Sequence, residues 1–180
     1  MAGWVFSVGP WLILFGLYGP AMSADPKYPI PGAFFFGQAI CYFIYRILDE
    51  VDGKHARNIN NSSPLGLFFD HGVDAFSVGI QGMIHARTMQ FGNCIFAFAG
   101  LAAISAVFHT ITADEYYTGV LILQECNGVT DLSFILYGVL IIAGIFGSEV
   151  FGKDLYMGWS AGNLVNLFIA VTQFSTIIFT

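Results

Sequence analysis

The sequence predicts an all-α fold: a polytopic membrane helical bundle with about six transmembrane helices. Three observations carry that expectation. Hydrophobic residues make up 56% of the 180 residues and charged residues only 10%, against about 25% charged in soluble domains. Mean hydropathy is +0.71. The apolar runs are continuous and close to the roughly 20 residues that cross a bilayer as a helix; none alternates with period two as barrel strands do.

The apolar segments fall at about 4 to 22, 30 to 48, 64 to 86, 91 to 112, 132 to 151 and 155 to 179. They leave almost no chain for a soluble domain, so residues 1–180 are expected to form a single membrane domain. The first reads as a retained helix rather than a signal peptide: it lacks a basic leading region and is interrupted by Gly9, Pro10, Gly16, Gly19 and Pro20. The second helix should continue past its apolar part through Asp49 and Asp52 and fray after Arg57, where Asn58, Asn60 and Asn61 favour turns. Ser63 and Pro64 then mark a helix start, with a hydroxyl at the N-cap and proline at the first helical position. The short link makes the second and third helices antiparallel neighbours. In the fifth segment and just after it, Gly138, Gly144 and Gly147 offer small-residue faces for helix contacts.

Five of the chain's twelve acidic residues fall between Asp49 and Asp74, in the run DEVDGKHARNINNSSPLGLFFDHGVD. Ionisable groups at membrane depth are costly and usually mark a binding site. Asp49 and Asp52 are i and i+3, and Asp70 and Asp74 are i and i+4, so each pair projects from one helical face. Four carboxylates facing one another repel unless cations lie between them, and all-oxygen ligand sets suit Mg²⁺ or Mn²⁺. A charge network serving stability alone fits poorly, because only Lys54 and Arg57 are at hand to balance four aspartates. Gly53, Ala56, Gly66 and Gly72 are small residues interleaved with the acids. They either let helices pack closely or leave room for a phosphate or base against the backbone. Arg57 is suited to clamp a phosphate or to pair with one of the acids.

Other chemistries find little support. The net charge is −6, and no basic arm or patch suggests nucleic acid. Cys41, Cys94 and Cys126 form no CxxC pair, and His55, His71, His85 and His109 form no HxxxH pair. Overlapping glycosylation sequons at Asn60 and Asn61 lie inside the acidic stretch. Arg46, Lys54 and Arg57 fall on one side of the expected bundle and Lys27, Arg87 and Lys153 on the other, so orientation stays open.

The pattern Asp49-x-x-Asp52-Gly53-x-x-Ala56-Arg57, eight residues, Gly66-x-x-x-Asp70-x-x-x-Asp74 resembles the full signature of the CDP-alcohol phosphotransferase family. The words DGKHARNINNSSPLG and FDHGVD, and the segment from Asp114 to Ser133 with DEYYTGVLIL and NGVTDLS, look closest to the eukaryotic ethanolaminephosphotransferases and cholinephosphotransferases. The resemblance implies transfer of phosphoethanolamine or phosphocholine from CDP-ethanolamine or CDP-choline to diacylglycerol drawn from the bilayer, giving phospholipid and CMP. It implies that Asp49, Asp52, Asp70 and Asp74 bind two divalent cations, Mg²⁺ or Mn²⁺, and that Gly53, Ala56, Arg57 and Gly66 shape the nucleotide site. Asp74 is the family's usual candidate for general base and His71 its rival. A homodimer and an endoplasmic reticulum or Golgi membrane are implied as well. Those enzymes are roughly twice as long, so a shortened form is expected, without a leading segment and about four C-terminal helices. Leu67 stands where they commonly have glutamate, Ala113 where tryptophan is usual, and Asn58 where arginine is usual. The alternative expectation is a catalytically reduced structural subunit of a larger membrane complex, possibly in the mitochondrial inner membrane, retaining lipid or nucleotide in the old site.

Overall fold

The computed structural model describes residues 3–21, 29–59, 63–92, 95–119, 130–156 and 159–179. The elements run α1 (Trp4–Leu17), α2 (Gly32–Asn58), α3 (Pro64–Thr88), α4 (Ile95–Thr118), α5 (Thr130–Phe146), α6 (Glu149–Gly152), β1 (Asp154–Tyr156), β2 (Trp159–Ser160) and α7 (Ala161–Phe179). Among the described residues the fold is all-helical apart from one small antiparallel strand pair, which pairs Asp154 with Ser160 and Tyr156 with Trp159. Among the described residues one helix, Ala97–Thr118, is long and apolar enough to cross a membrane by itself. Trp4–Leu17, Leu132–Phe146 and Ala161–Thr172 are shorter apolar helices. The acids and buried glutamines of α2 and α3 lower their hydropathy although both are long.

Several boundaries move for local reasons. α1 stops at Leu17, short of the expected residue 22, because Gly19 takes a positive φ of 79° and Pro20 follows it. α3 begins where expected: Ser63 is extended and its Oγ accepts the Gly66 N–H at 3.0 Å, with Pro64 at the first position. After it Gln90 (φ 61°) and Gly92 (φ 68°) turn the chain, so α4 starts at Ile95 and runs on through Asp114 and Glu115 to Thr118, where Gly119 (φ 72°) follows. Those two acids thus lie on the last turns of α4, past the apolar segment expected to end at about residue 112. The fifth apolar run breaks at Gly147 (φ 82°), and the stretch expected to open the sixth helix forms the strand pair instead.

Packing follows the buried faces. α2 lies against α5 and α1, α3 against α1 and α4, and α4 against α7. Phe35, Tyr42 and Tyr45 of α2 share a core with Leu132, Leu136, Val139, Leu140 and Ala143 of α5. Leu14, Ile80 and Ile84 form a second cluster between α1 and α3. Where α2 meets α5, a Cβ on Gly32 would collide with the Gly144 carbonyl oxygen, and one on Gly144 would lie 2.8 Å from the Phe36 ring. Gly144 thus supports a close helix contact, as expected, between α2 and α5 of this chain, whereas Gly147 ends α5.

α2 and α3 run antiparallel, as the short link predicts, with Gln38 opposite Gln81, Tyr45 opposite Asp74 and Asp49 opposite Asp70, but among the described residues their backbones are not a closely packed pair. They meet through side chains. Gln38 Nε2 donates to Gln81 Oε1 at 2.8 Å, and Gln81 Nε2 donates to Ser7 Oγ at 3.1 Å, tying α2, α3 and α1 together in an apolar interior. Fully buried Arg87 donates to the carbonyls of Tyr18 (2.5 Å), Gly19 (2.7 Å) and Ala21, satisfying acceptors at the end of α1. The space left between α2 and α3 is the cleft in which the acids sit.

Candidate active site

One face of α2 carries Tyr42, Tyr45, Arg46, Asp49 and Asp52 at helical spacing, and one face of α3 carries Asp70, Asp74, Ser77 and Gln81. The two faces look at each other across the cleft. Carboxylate oxygens of Asp49, Asp52 and Asp70 all lie within 4.8 Å of one another. Asp74 joins them from one turn deeper, accepting the Tyr45 hydroxyl at 2.8 Å and a hydrogen bond from Asp49. Asp49, just past the second apolar segment, is pushed up to about 7, by burial first and then by the Asp74 and Asp70 carboxylates, with Arg46 opposing. Lys54 does not cross to the cluster's inner side; it pairs with Glu50 at 2.6 Å on the exposed face.

The donor set suits a hard divalent cation. Mg²⁺ with oxygens about 2.1 Å away spans at most about 4.2 Å between opposite ligands, so a 4.8 Å cluster needs only a small closure of the two helix ends. All-carboxylate ligation excludes a site built for soft metals. A Cβ on Gly72 would meet nothing within 4 Å, and one on Gly66 only its own cap, Ser63 Oγ at 3.2 Å. Neither glycine packs against another helix: Gly66, four residues before Asp70, leaves space on the acids' face, whereas Gly72 lies on the opposite face of α3. Gly53 lies half-buried between Asp52 and Lys54 on the last turns of α2. The backbones of Ala56 and Arg57 also belong to α2, while their side chains lie outside the described residues. Cys94 and Cys126, and the sequon residues Asn60 and Asn61, likewise lie outside them.

His71, next to Asp70, turns toward α4, where its Nε2 is 3.4 Å from Glu115 Oε2. Below the acids a cavity of about 110 Å³ extends into the bundle, lined by Arg46 and Asp74 at one end and by Ser77, Gln81, His85 and Ser133 farther in. That volume is below the ~150 Å³ that admits one benzene ring in an engineered core, so it admits a fragment of a few heavy atoms and not a whole lipid. Tyr45, Ser77, Ser133 and Glu115 were not singled out as site residues from the sequence. Tyr45 had a usable signal, since it sits four residues before Asp49 on the same face.

A family model described as CDP-alcohol phosphatidyltransferase matches residues 28–159. The chain belongs to the CDP-alcohol phosphatidyltransferase family. Within the family it is 33% identical to choline/ethanolaminephosphotransferase 1 of Arabidopsis thaliana, over 86% of this chain and 38% of that protein. It is also 33% identical to choline/ethanolaminephosphotransferase 1 of Saccharomyces cerevisiae, over 83% of this chain and 37% of that protein. An uncharacterized class-I family protein of Dictyostelium discoideum is 32% identical over 96% of this chain and 41% of its own length. The chain thus spans about two-fifths of the length of the curated relatives it matches.

Proposed function

We propose that this chain transfers phosphoethanolamine or phosphocholine from a CDP-alcohol to diacylglycerol, releasing CMP, at the cleft between α2 and α3. The observation that carries the reading is the convergence of Asp49, Asp52 and Asp70 within 4.8 Å, in a chain whose family is defined by CDP-alcohol chemistry. Asp49, Asp52, Asp70 and Asp74 are the ligand set for two Mg²⁺ or Mn²⁺ ions. When bound, such ions neutralise the diphosphate and the charge that develops on the leaving CMP.

The chain's own residues do the rest. Gly53 and Gly66, with Ala56, leave the backbone open to the nucleotide, and Arg57 at the end of α2 supplies a cation for phosphate. Asp74 and His71 are the two groups able to accept the proton of the lipid hydroxyl. Asp74 is already engaged by the Tyr45 hydroxyl and Asp49, which favours His71 as the base and Asp74 as a ligand. The 110 Å³ cavity beneath Asp74 takes the glycerol end of the acceptor while its acyl chains stay in the bilayer.

The membrane reading is part of the same proposal: about six helices crossing a bilayer, in endoplasmic reticulum or Golgi, with a homodimer as the assembly. Supporting it, the outer faces display Leu12, Ile13, Ile40, Phe43, Phe98 and Phe168, all exposed, as a lipid-facing surface requires. The second reading, a reduced subunit of a larger membrane complex, draws on Leu67, an exposed apolar residue where the resembled enzymes commonly carry glutamate. CMP release from CDP-choline or CDP-ethanolamine with diacylglycerol and Mg²⁺ separates the two. Activity that disappears in Asp70→Ala supports the transferase; no release by the wild type with either donor overturns it in favour of the subunit.

A further inference from the structure

We propose that Glu115, projecting from the last turn of α4, is the positioning residue for His71, supplying across the helix interface the carboxylate that α3 lacks at Leu67. The assignment rests on the transferase reading and adds to it a residue from outside the signature stretch. Leu67 lies one turn before His71 on the same helix and is 52% exposed, so nothing polar at that position can orient the ring. Glu115 reaches it from the neighbouring helix instead, with Oε2 3.4 Å from His71 Nε2. That oxygen is shut off from solvent and has no hydrogen-bond partner among the described residues.

A buried carboxylate oxygen is costly without a donor, and the imidazole N–H is the donor within reach. With Nε2–H directed at Glu115, the proton is fixed on that nitrogen and the ring's rotation is set, leaving Nδ1 with the free lone pair. The step then balances. The hydroxyl O–H of the lipid breaks and its proton passes to Nδ1. The new O–P bond forms, and the P–O bond to CMP breaks with its electron pair remaining on CMP. Glu115 touches none of the reacting atoms; it holds the imidazole and stabilises its charged form after transfer.

The full chain in lipid nanodiscs is assayed for CMP release as wild type, Glu115→Gln, Glu115→Asp, His71→Ala and the double variant His71→Ala/Glu115→Gln. Loss of an orienting partner of this kind typically costs about 10- to 100-fold in activity. Glu115→Gln is therefore expected to lower kcat by that factor with KM for the CDP-alcohol unchanged, and Glu115→Asp to recover part of the loss. The double variant should be no slower than His71→Ala alone, because both changes remove one unit. An unchanged kcat in Glu115→Gln overturns the assignment, as does a loss carried by KM, which would make Glu115 a contact for the cationic headgroup. Additive losses in the double variant overturn it too. The Mg²⁺-induced rise in melting temperature must persist in Glu115→Gln; its disappearance would assign Glu115 a purely structural role and likewise sink the proposal. Wild-type inactivity overturns the transferase reading itself, whereas an active wild type with an indifferent Glu115→Gln overturns only the role of Glu115.

Discussion

Replacing Asp70 with asparagine should move stability in opposite directions depending on whether cations are present. At an effective dielectric of about 20, two carboxylates roughly 4.8 Å apart repel by about 3.5 kcal/mol, and in bulk water by about 0.9 kcal/mol. Asp70 faces half-buried Asp49 and exposed Asp52 at no more than that distance, so the first pair sits nearer the upper figure and the second nearer the lower. Asp70→Asn keeps the shape and removes both repulsions, relieving on the order of 1 to 4 kcal/mol in the cation-free protein. For a chain of this size each kcal/mol corresponds to about 2–4 °C. The variant should thus melt at least ~2 °C higher than wild type in EDTA, measured at pH 8 so that Asp49 is ionised. With Mg²⁺ at about 100 times its dissociation constant the wild type gains about 2.7 kcal/mol, and the variant should gain almost none. A variant that is less stable in EDTA, or that Mg²⁺ stabilises as much as wild type, would refute the idea that this cluster is a repulsive cation site.

Three further outcomes are expected. The Asp49 carboxyl is raised from 3.8 to about 7 in the fold, so in EDTA its contribution to stability is fully present below about pH 4 and is lost as pH rises through about 7; Mg²⁺ affinity, read by calorimetry, should rise over that same interval because the ion competes with the proton. Tyr45→Phe removes the 2.8 Å donor to Asp74 and should cost about 1 kcal/mol, seen as a several-fold weaker Mg²⁺ affinity with an unaltered helical circular dichroism spectrum. Arg87→Met leaves the Tyr18, Gly19 and Ala21 carbonyls without their buried donor and should lower stability by roughly 3 kcal/mol or more; an unchanged melting temperature would mean that the end of α1 is satisfied in another way.

Much of the molecule was legible from residue order alone, because it depends on interactions within a turn or two of helix. The all-helical class follows from continuous apolar runs, the start of α3 from Ser63 and Pro64, and the pairing of acids on single faces from i+3 and i+4 spacing. Each is local, and local rules apply whatever surrounds them. Glycine made the boundaries harder to read: Gly19, Gly92, Gly119 and Gly147 all take positive φ and end or redirect elements, whereas Gly72 and Gly138 sit quietly inside helices. Which glycine terminates a helix depends on what packs beyond it. Tertiary structure alone decided that α2 and α3 meet by side chains and not by close backbone packing, since α1, α4 and α5 pack on their other faces. It also decided that Tyr45 holds Asp74, that Gly144 is filled by Phe36, and that Glu115, 44 residues beyond His71 in the chain, lies 3.4 Å from its ring. Contacts between distant segments depend on how whole helices cross, and no spacing along the chain encodes the crossing.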